Sequence, residues 1–245
     1  MFLHFRRSGT RILHRTAALA LVALLAACAD PPAPAEPPAV DGYGQIEDGG
    51  HVIPAVPPSY VPPENRRTQV SYNGPEKPGT IVVDPHHKYL YFVEDGGTAQ
   101  RYRIAVGKAG RDFRGSAYVG RKAEWPYWAP TKNMIRTMPE MYAELAGGME
   151  PGPLNPLGAR ALYLYRGNRD TMYRIHGTGD YTSIGHATSA GCIRLYNHDI
   201  LDLYERAESG QNVKVRTLTE AIELGGPLPE DPAPQTDDLV ALAED

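Results

Sequence analysis

Cys192 and His176 are the two side chains of this sequence best suited to covalent chemistry. Cys192 stands in Thr188-Ser189-Ala190-Gly191-Cys192-Ile193-Arg194-Leu195, and His176 lies 16 residues upstream in Arg174-Ile175-His176-Gly177-Thr178. A thiol with an imidazole in reach is a candidate nucleophile with its general base. An imidazolium beside the thiol would lower its pKa and favour the thiolate. Small residues ahead of Cys192 let backbone amides approach a substrate oxygen, and Arg194 has the charge and fork to anchor a carboxylate. Each has a plainer reading: a lone cysteine is often a small buried hydrophobe, and Arg194 could pair with Asp199 or Asp202. A zinc site built from His176, His186 and Cys192 lacks the Cys-x-x-Cys or His-x-x-x-His spacing of such sites. The sequence calls for no metal and no cofactor.

Strands must position this pair. Thr80–Asp84, Lys88–Val93 and Gln100–Val106 are short, β-branched or aromatic runs separated by turns at Pro85 and Glu94-Asp95-Gly96-Gly97. Ala161–Tyr165 and Thr171–Ile175 flank the turn Arg166-Gly167-Asn168-Arg169, and Val213–Val215 closes the series. The alternation puts Tyr173 and Ile175 on one face and Arg174 and His176 on the other, with His176 at a strand end. The clearest helix runs Asn197–Glu208, with Asn197 as N-cap, Asp199 in the first turn, Ile200, Leu203, Tyr204 and Ala207 on one face, and Gly210 as the stop. A weaker helix is expected over Pro139–Ala146. The fold class is α+β, predominantly β.

The flanks differ in kind. Arg6, Arg7, Arg11 and Arg15 precede an apolar run of 11 residues, Ala17–Ala27, too short to span a bilayer and of the length of a signal-peptide core. It ends at Leu25-Ala26-Ala27-Cys28, which resembles a bacterial lipobox, so residues 1–27 read as a lipoprotein signal peptide and Cys28 as the acylated residue. Ordinary secretion after Ala27 is the alternative, and the apolar residues expected after a twin-arginine signal are missing. Ala29 favours the periplasmic face of the outer membrane over the inner. With Cys28 lipidated, Cys192 has no intrachain partner. Residues 31–63 hold ten prolines, so 28–78 read as a disordered tether. Residues 217–245 carry eight acids and no base and read as a disordered tail. The domain left, residues 79–216, has 18 Lys+Arg against 14 Asp+Glu, a net of +4 in a chain of −4. That surplus suits an anionic substrate or an ordinary solvated surface equally, and no nucleic-acid motif is present.

His176-Gly177-Thr178, Ser183-Ile184-Gly185, Ser189–Leu195 and Asn197–Tyr204 together resemble the signature of the L,D-transpeptidases, the YkuD-type catalytic domain. The resemblance extends upstream through Thr80–Pro85, Trp125–Pro130 and Asn155–Leu164, covering nearly the whole domain. It implies a β-sandwich-type domain with two short helices. It implies that Cys192 attacks the meso-diaminopimelate–D-alanine bond of a peptidoglycan stem tetrapeptide, that His176 moves the proton, and that the Gly177 carbonyl orients the imidazole. Backbone amides of Ala190, Gly191 and Cys192 become the oxyanion donors. Ser189, Arg194, Trp125 and Trp128 become candidate substrate contacts, with core packing as the alternative for the aromatics. The partners implied are stem peptides and, through the lipid, the membrane. The thioester passes to an amine, giving a 3→3 cross-link or an anchored protein, or to water. One position departs from the family, which commonly has histidine where this chain has Ala190. A wall-binding lipoprotein without turnover is the alternative from another class.

Overall fold

The computed structural model describes residues 38–107, 113, 115–188 and 192–229. The mostly-β α+β reading holds. Among the described residues, 11 strands form one sheet in the order β11-β7-β12-β10-β9-β8-β13-β4-β5-β6-β3. In chain order these are β3 (Thr68–Ser71), β4 (Ile81–Asp84), β5 (Tyr89–Glu94), β6 (Thr98–Arg103), β7 (Ala105–Gly107), β8 (Gly115–Glu124), β9 (Arg160–Arg166), β10 (Arg169–Thr178), β11 (Ala187–Thr188), β12 (Ile193–Tyr196) and β13 (Asn212–Val215). A separate hairpin pairs β1 (Ile46–Asp48) with β2 (His51–Ile53).

The expected strand Gln100–Val106 is broken at Ile104. Its halves, β6 and β7, lie eight places apart in the strand order although a single residue separates them. The sheet therefore folds over on itself, as a sandwich does, with Ile104 fully buried at the crossing. Ile81, Val83, Leu90, Tyr102, Leu162, Leu164, Ile175, Ile193 and Leu195 fill the space between the leaves. Each contributes about 1.5–3 kcal/mol by leaving water.

Four α-helices, rather than two, occur among the described residues: α1 (Lys132–Thr137), α2 (Pro139–Tyr142), α3 (Asn197–Arg206) and α4 (Leu218–Gly225). The helix expected over Pro139–Ala146 is thus a single turn, preceded by another that Thr131 caps. Helix α3 ends at Arg206, short of Glu208, and its N-cap is Tyr196, not Asn197. Ile200 and Leu203 bury its apolar face against the core, while Asp199 in the first turn and Arg206 in the last complement its dipole.

Both flank readings are corrected where the chain is described. Residues 38–78 are not a free tether: β3 pairs with β6, and Tyr43, Ile53, Val56 and Val61 are buried. The prolines keep this stretch extended, and the apolar residues between them supply the burial that holds it down. The tail likewise begins with α4, whose Thr217 and Glu220 satisfy each other's backbone amides in a capping box. The signal peptide, Cys28 and residues 230–245 lie outside the described residues.

Candidate active site

Strand β10 carries His176 and runs on through Gly177 to Thr178, so the histidine lies inside a strand rather than at its end. Beside it runs β12 in parallel register, Ile175 opposite Ile193 and His176 opposite Arg194. Ile175 and Ile193 point into the core, which turns Arg174, His176 and Arg194 to the opposite face. Cys192 immediately precedes β12 and is partly buried. The Arg174 backbone amide is close enough to favour its thiolate, which sets the sulfur next to β10. A four-residue strand, not a long loop, thus sets Cys192 next to the strand that carries His176.

His176 Nδ1 lies 2.6 Å from the Gly177 carbonyl oxygen. A carbonyl only accepts, so Nδ1 carries the proton and Nε2 keeps its lone pair. Burial pushes the imidazole down to about 4; the Gly177 hydrogen bond opposes this, and the charges of Arg194 and Arg174 add to it. Burial also pushes the Cys192 thiol up, against the Arg174 backbone bond and the two arginine charges. Burial thus favours the uncharged form of both partners over the expected imidazolium–thiolate pair, and the two guanidinium groups add to this at the imidazole but oppose it at the sulfur.

Arg194 pairs with neither Asp199 nor Asp202. Its Nη1 is 3.8 Å from Asp180 Oδ2, whereas Asp199 is paired with Arg67 at 3.6 Å and Asp202 with Arg206 at 3.0 Å. Arg194 and Asp180 line a cavity of about 510 Å³. Cys192 and His176 do not line it, but Arg194 and Thr178, each two residues further along the chain, do. The upstream segment closes one side with Ile53, Pro54 and Val56.

Trp125 is not a groove wall. It is buried, and its indole N–H donates to Asp48 Oδ2 at 2.7 Å, where Arg160 also binds. Trp128 lies apart from the cavity, bridged to Met149 and edging Tyr142. Ser189, Ala190 and Gly191 lie outside the described residues. Among the described residues no three His, Cys, Asp or Glu side chains stand close enough to hold a metal, and His198 points its Nε2 at the Gly44 carbonyl, 2.6 Å away. Sequence reasoning gave no role to Arg174, whose guanidinium is held by Asp170 at 2.7 Å. The only signal was its alternation with His176.

Residues 78–215 match the family YkuD, the L,D-transpeptidase catalytic domain. The "Probable L,D-transpeptidase ErfK/SrfK" of Escherichia coli K12 is 34% identical over 139 residues, 56% of this chain and 43% of that relative. The "Putative L,D-transpeptidase in ATP synthase subunits region ORF 5" of Fuscovulum blasticum is 39% identical over 138 residues, 55% of this chain and 68% of that relative. The chain thus spans less than half the length of the enterobacterial relative. A crystal structure from Brucella melitensis, called a probable carnitine operon oxidoreductase, is 48% identical and covers 65% of this chain and 98% of its own, with a TM-score of 0.45. At that score the likeness carries no argument about activity.

Proposed function

The chain belongs to the YkuD family of L,D-transpeptidase catalytic domains, and on that premise we propose that it transfers acyl groups between peptidoglycan peptides through a Cys192 thioester. The observation that carries this reading is the Nδ1–H bond from His176 to the Gly177 carbonyl, on the strand next to Cys192. It leaves Nε2 free as a base and supports the positive charge that Nε2 acquires on taking a proton.

The steps follow from a neutral resting pair. As sulfur attacks the carbonyl of the L-centre of meso-diaminopimelate, the thiol proton passes to Nε2. The developing oxyanion needs donors, and the backbone amides of Ala190, Gly191 and Cys192 are proposed for that role. Collapse of the tetrahedral adduct breaks the C–N bond, and His176 returns the proton to the departing D-alanine amine. An acceptor amine then loses a proton to Nε2 as it attacks the thioester, and the thiol is restored. Arg194 is proposed to hold a stem carboxylate, its loose contact with Asp180 yielding to the substrate.

The test is mass spectrometry of the full chain after incubation with a carbapenem, whose strained ring stands in for the acyl donor. One adduct, on Cys192, is expected, and none with Cys192→Ala. No adduct on the native chain would overturn the reading. Incubation with disaccharide-tetrapeptides then identifies the acceptor from the products: cross-linked dimers for a stem amine, tripeptides for water.

The lipid anchor at Cys28 is likewise a proposal, on the periplasmic face of the outer membrane. Cys28→Ala should release the protein from detergent-extractable membranes into the soluble fraction. Retention would overturn it.

A further inference from the structure

Asn197 belongs, by its residue type, at the helix N-cap, yet it occupies the first turn of α3 and Tyr196 at the cap offers no side-chain bond. Its carboxamide is committed elsewhere. Asn197 Oδ1 accepts the backbone N–H of Ala159 at 2.9 Å, and the residue is buried.

The place of that bond is informative. The antiparallel ladder between β9 and β10 ends at the pair His176↔Ala161. Two residues from that pair, just before the start of β9, the Ala159 amide bonds the Asn197 side chain instead. The carboxamide sits over the Gly177 peptide: a Cβ added at Gly177 or at Gly158 would collide with Asn197 Oδ1. A Cβ at Gly158 would also come within 2.5 Å of the Gly177 carbonyl carbon, and one at Gly177 within 2.8 Å of Ile200 Cγ2. Two glycines thus clear the room in which Asn197 and Ile200 press on the Gly177 peptide. On its far side that peptide is fixed by the β12 ladder, Gly177 opposite Leu195. The carbonyl of this clamped peptide is the one that accepts from His176 Nδ1.

We propose that Asn197 is a positioning residue: by holding the Ala159 amide where the ladder ends, it fixes the Gly177 peptide, whose carbonyl sets the tautomer and aim of His176. The inference rests on the proposed role of His176 as the base. Asn197 also lines the cavity beside Arg194, but the role proposed for it is to act through Gly177.

The test compares the full chain with Asn197→Leu, which keeps the volume and removes the acceptor, and Asn197→Asp, which keeps an acceptor oxygen at the same place. Nitrogen-15 NMR of the His176 ring reports the tautomer, and the rate of carbapenem acylation reports the chemistry. Asn197→Leu should lose the pure Nδ1–H tautomer and acylate about 100-fold more slowly, the scale of an ångström's misplacement, with half-saturation unchanged. Asn197→Asp should keep the tautomer and most of the rate. A Leu variant with the native tautomer overturns the proposal, whether or not its rate falls, because a merely structural loss would slow acylation without touching the ring. Should Asn197→Leu not fold, Asn197→Ala removes the acceptor without adding apolar bulk and is read the same way. If the native chain forms no adduct, the acyl-transfer reading fails, while the tautomer comparison still decides the role of Asn197.

Discussion

Replacing His176 by alanine separates two mechanisms that share the same residues. In one, a standing imidazolium holds Cys192 as thiolate. In the other, both groups rest neutral and the proton moves only as sulfur attacks. With the imidazole pushed down to about 4, three pH units below neutrality, roughly 0.1% of it is charged at pH 7. Burial pushes the thiol above its ordinary value, which favours its un-ionised form at that pH. Removing a neutral imidazole therefore takes no charge away from the sulfur. The iodoacetamide alkylation profile of Cys192 should rise on the alkaline side and move by less than about half a pH unit in His176→Ala. Carbapenem acylation should nevertheless fall by about 10²–10⁴-fold, the contribution of a positioned base. Stopped-flow alkylation from pH 4 to 10, alongside acylation followed by intact mass, makes the comparison. A native alkylation midpoint below about pH 6 that climbs by two units or more in His176→Ala would refute the neutral pair.

Three further outcomes follow from the geometry. Cys192→Ser should abolish acylation while the melting temperature stays within a few degrees, since an un-ionised hydroxyl is too weak a nucleophile for the same base; appreciable turnover would remove Cys192 from the mechanism. Because the folded pKa of His176 lies below its unfolded 6.5, stability from this group is complete above pH 6.5 and is lost as the pH falls toward 4, by about 3 kcal/mol at most. Asp199, pushed up to about 7 by burial, has the opposite slope, so the readout is the difference in urea denaturation between the native chain and His176→Gln at pH 4.5 and 7, and equal differences at both would refute it. Asp48→Ala should cost about 2–3 kcal/mol, because it strands the buried Arg160 guanidinium and the Trp125 indole N–H together; a loss under about 0.5 kcal/mol in the same assay would mean that the hairpin is not held there.

What was legible in the sequence was the set of strands with a strong local pattern. Ile81–Asp84, Tyr89–Glu94 and the hairpin across Gly167 carry β-branched and aromatic residues in alternation, and that pattern fixes which face is buried. Strand β8 escaped because Gly120, Arg121 and Lys122 interrupt its apolar alternation, although it lies between β9 and β13 in the sheet. Strand β12 escaped because it lies between the cysteine loop and a helix start with no turn to mark it, yet its parallel pairing with β10 is what sets Cys192 beside the strand of His176. The box Thr217-Leu218-Thr219-Glu220 was readable as a helix start, but the acidic composition of the segment pointed the other way. The charge state of the pair was not legible at all. It depends on how dry the site is and on Arg174 and Arg194 sharing its face, both consequences of long-range packing.

The family match begins at residue 78, but the structural unit that serves the site begins earlier. Asp48 grips Arg160 with two bonds of 2.7 and 2.8 Å, one residue from the Ala159 amide that Asn197 holds. Arg67 donates to the His198 carbonyl at 3.0 Å and pairs with Asp199, at the other end of the same contact. The Tyr196 hydroxyl reaches the Tyr60 carbonyl at 2.5 Å, and Tyr60 packs against Tyr181 at the cavity. Both partners of the Asn197–Ala159 bond are thus braced from outside by residues 43–67. Tyr43, Ile53, Val56 and Val61 are each buried there, and at about 1.5–3 kcal/mol apiece their combined burial rivals the whole stability of an ordinary domain. A segment that composition marks as a spacer is, by its contacts, part of the domain that carries the site.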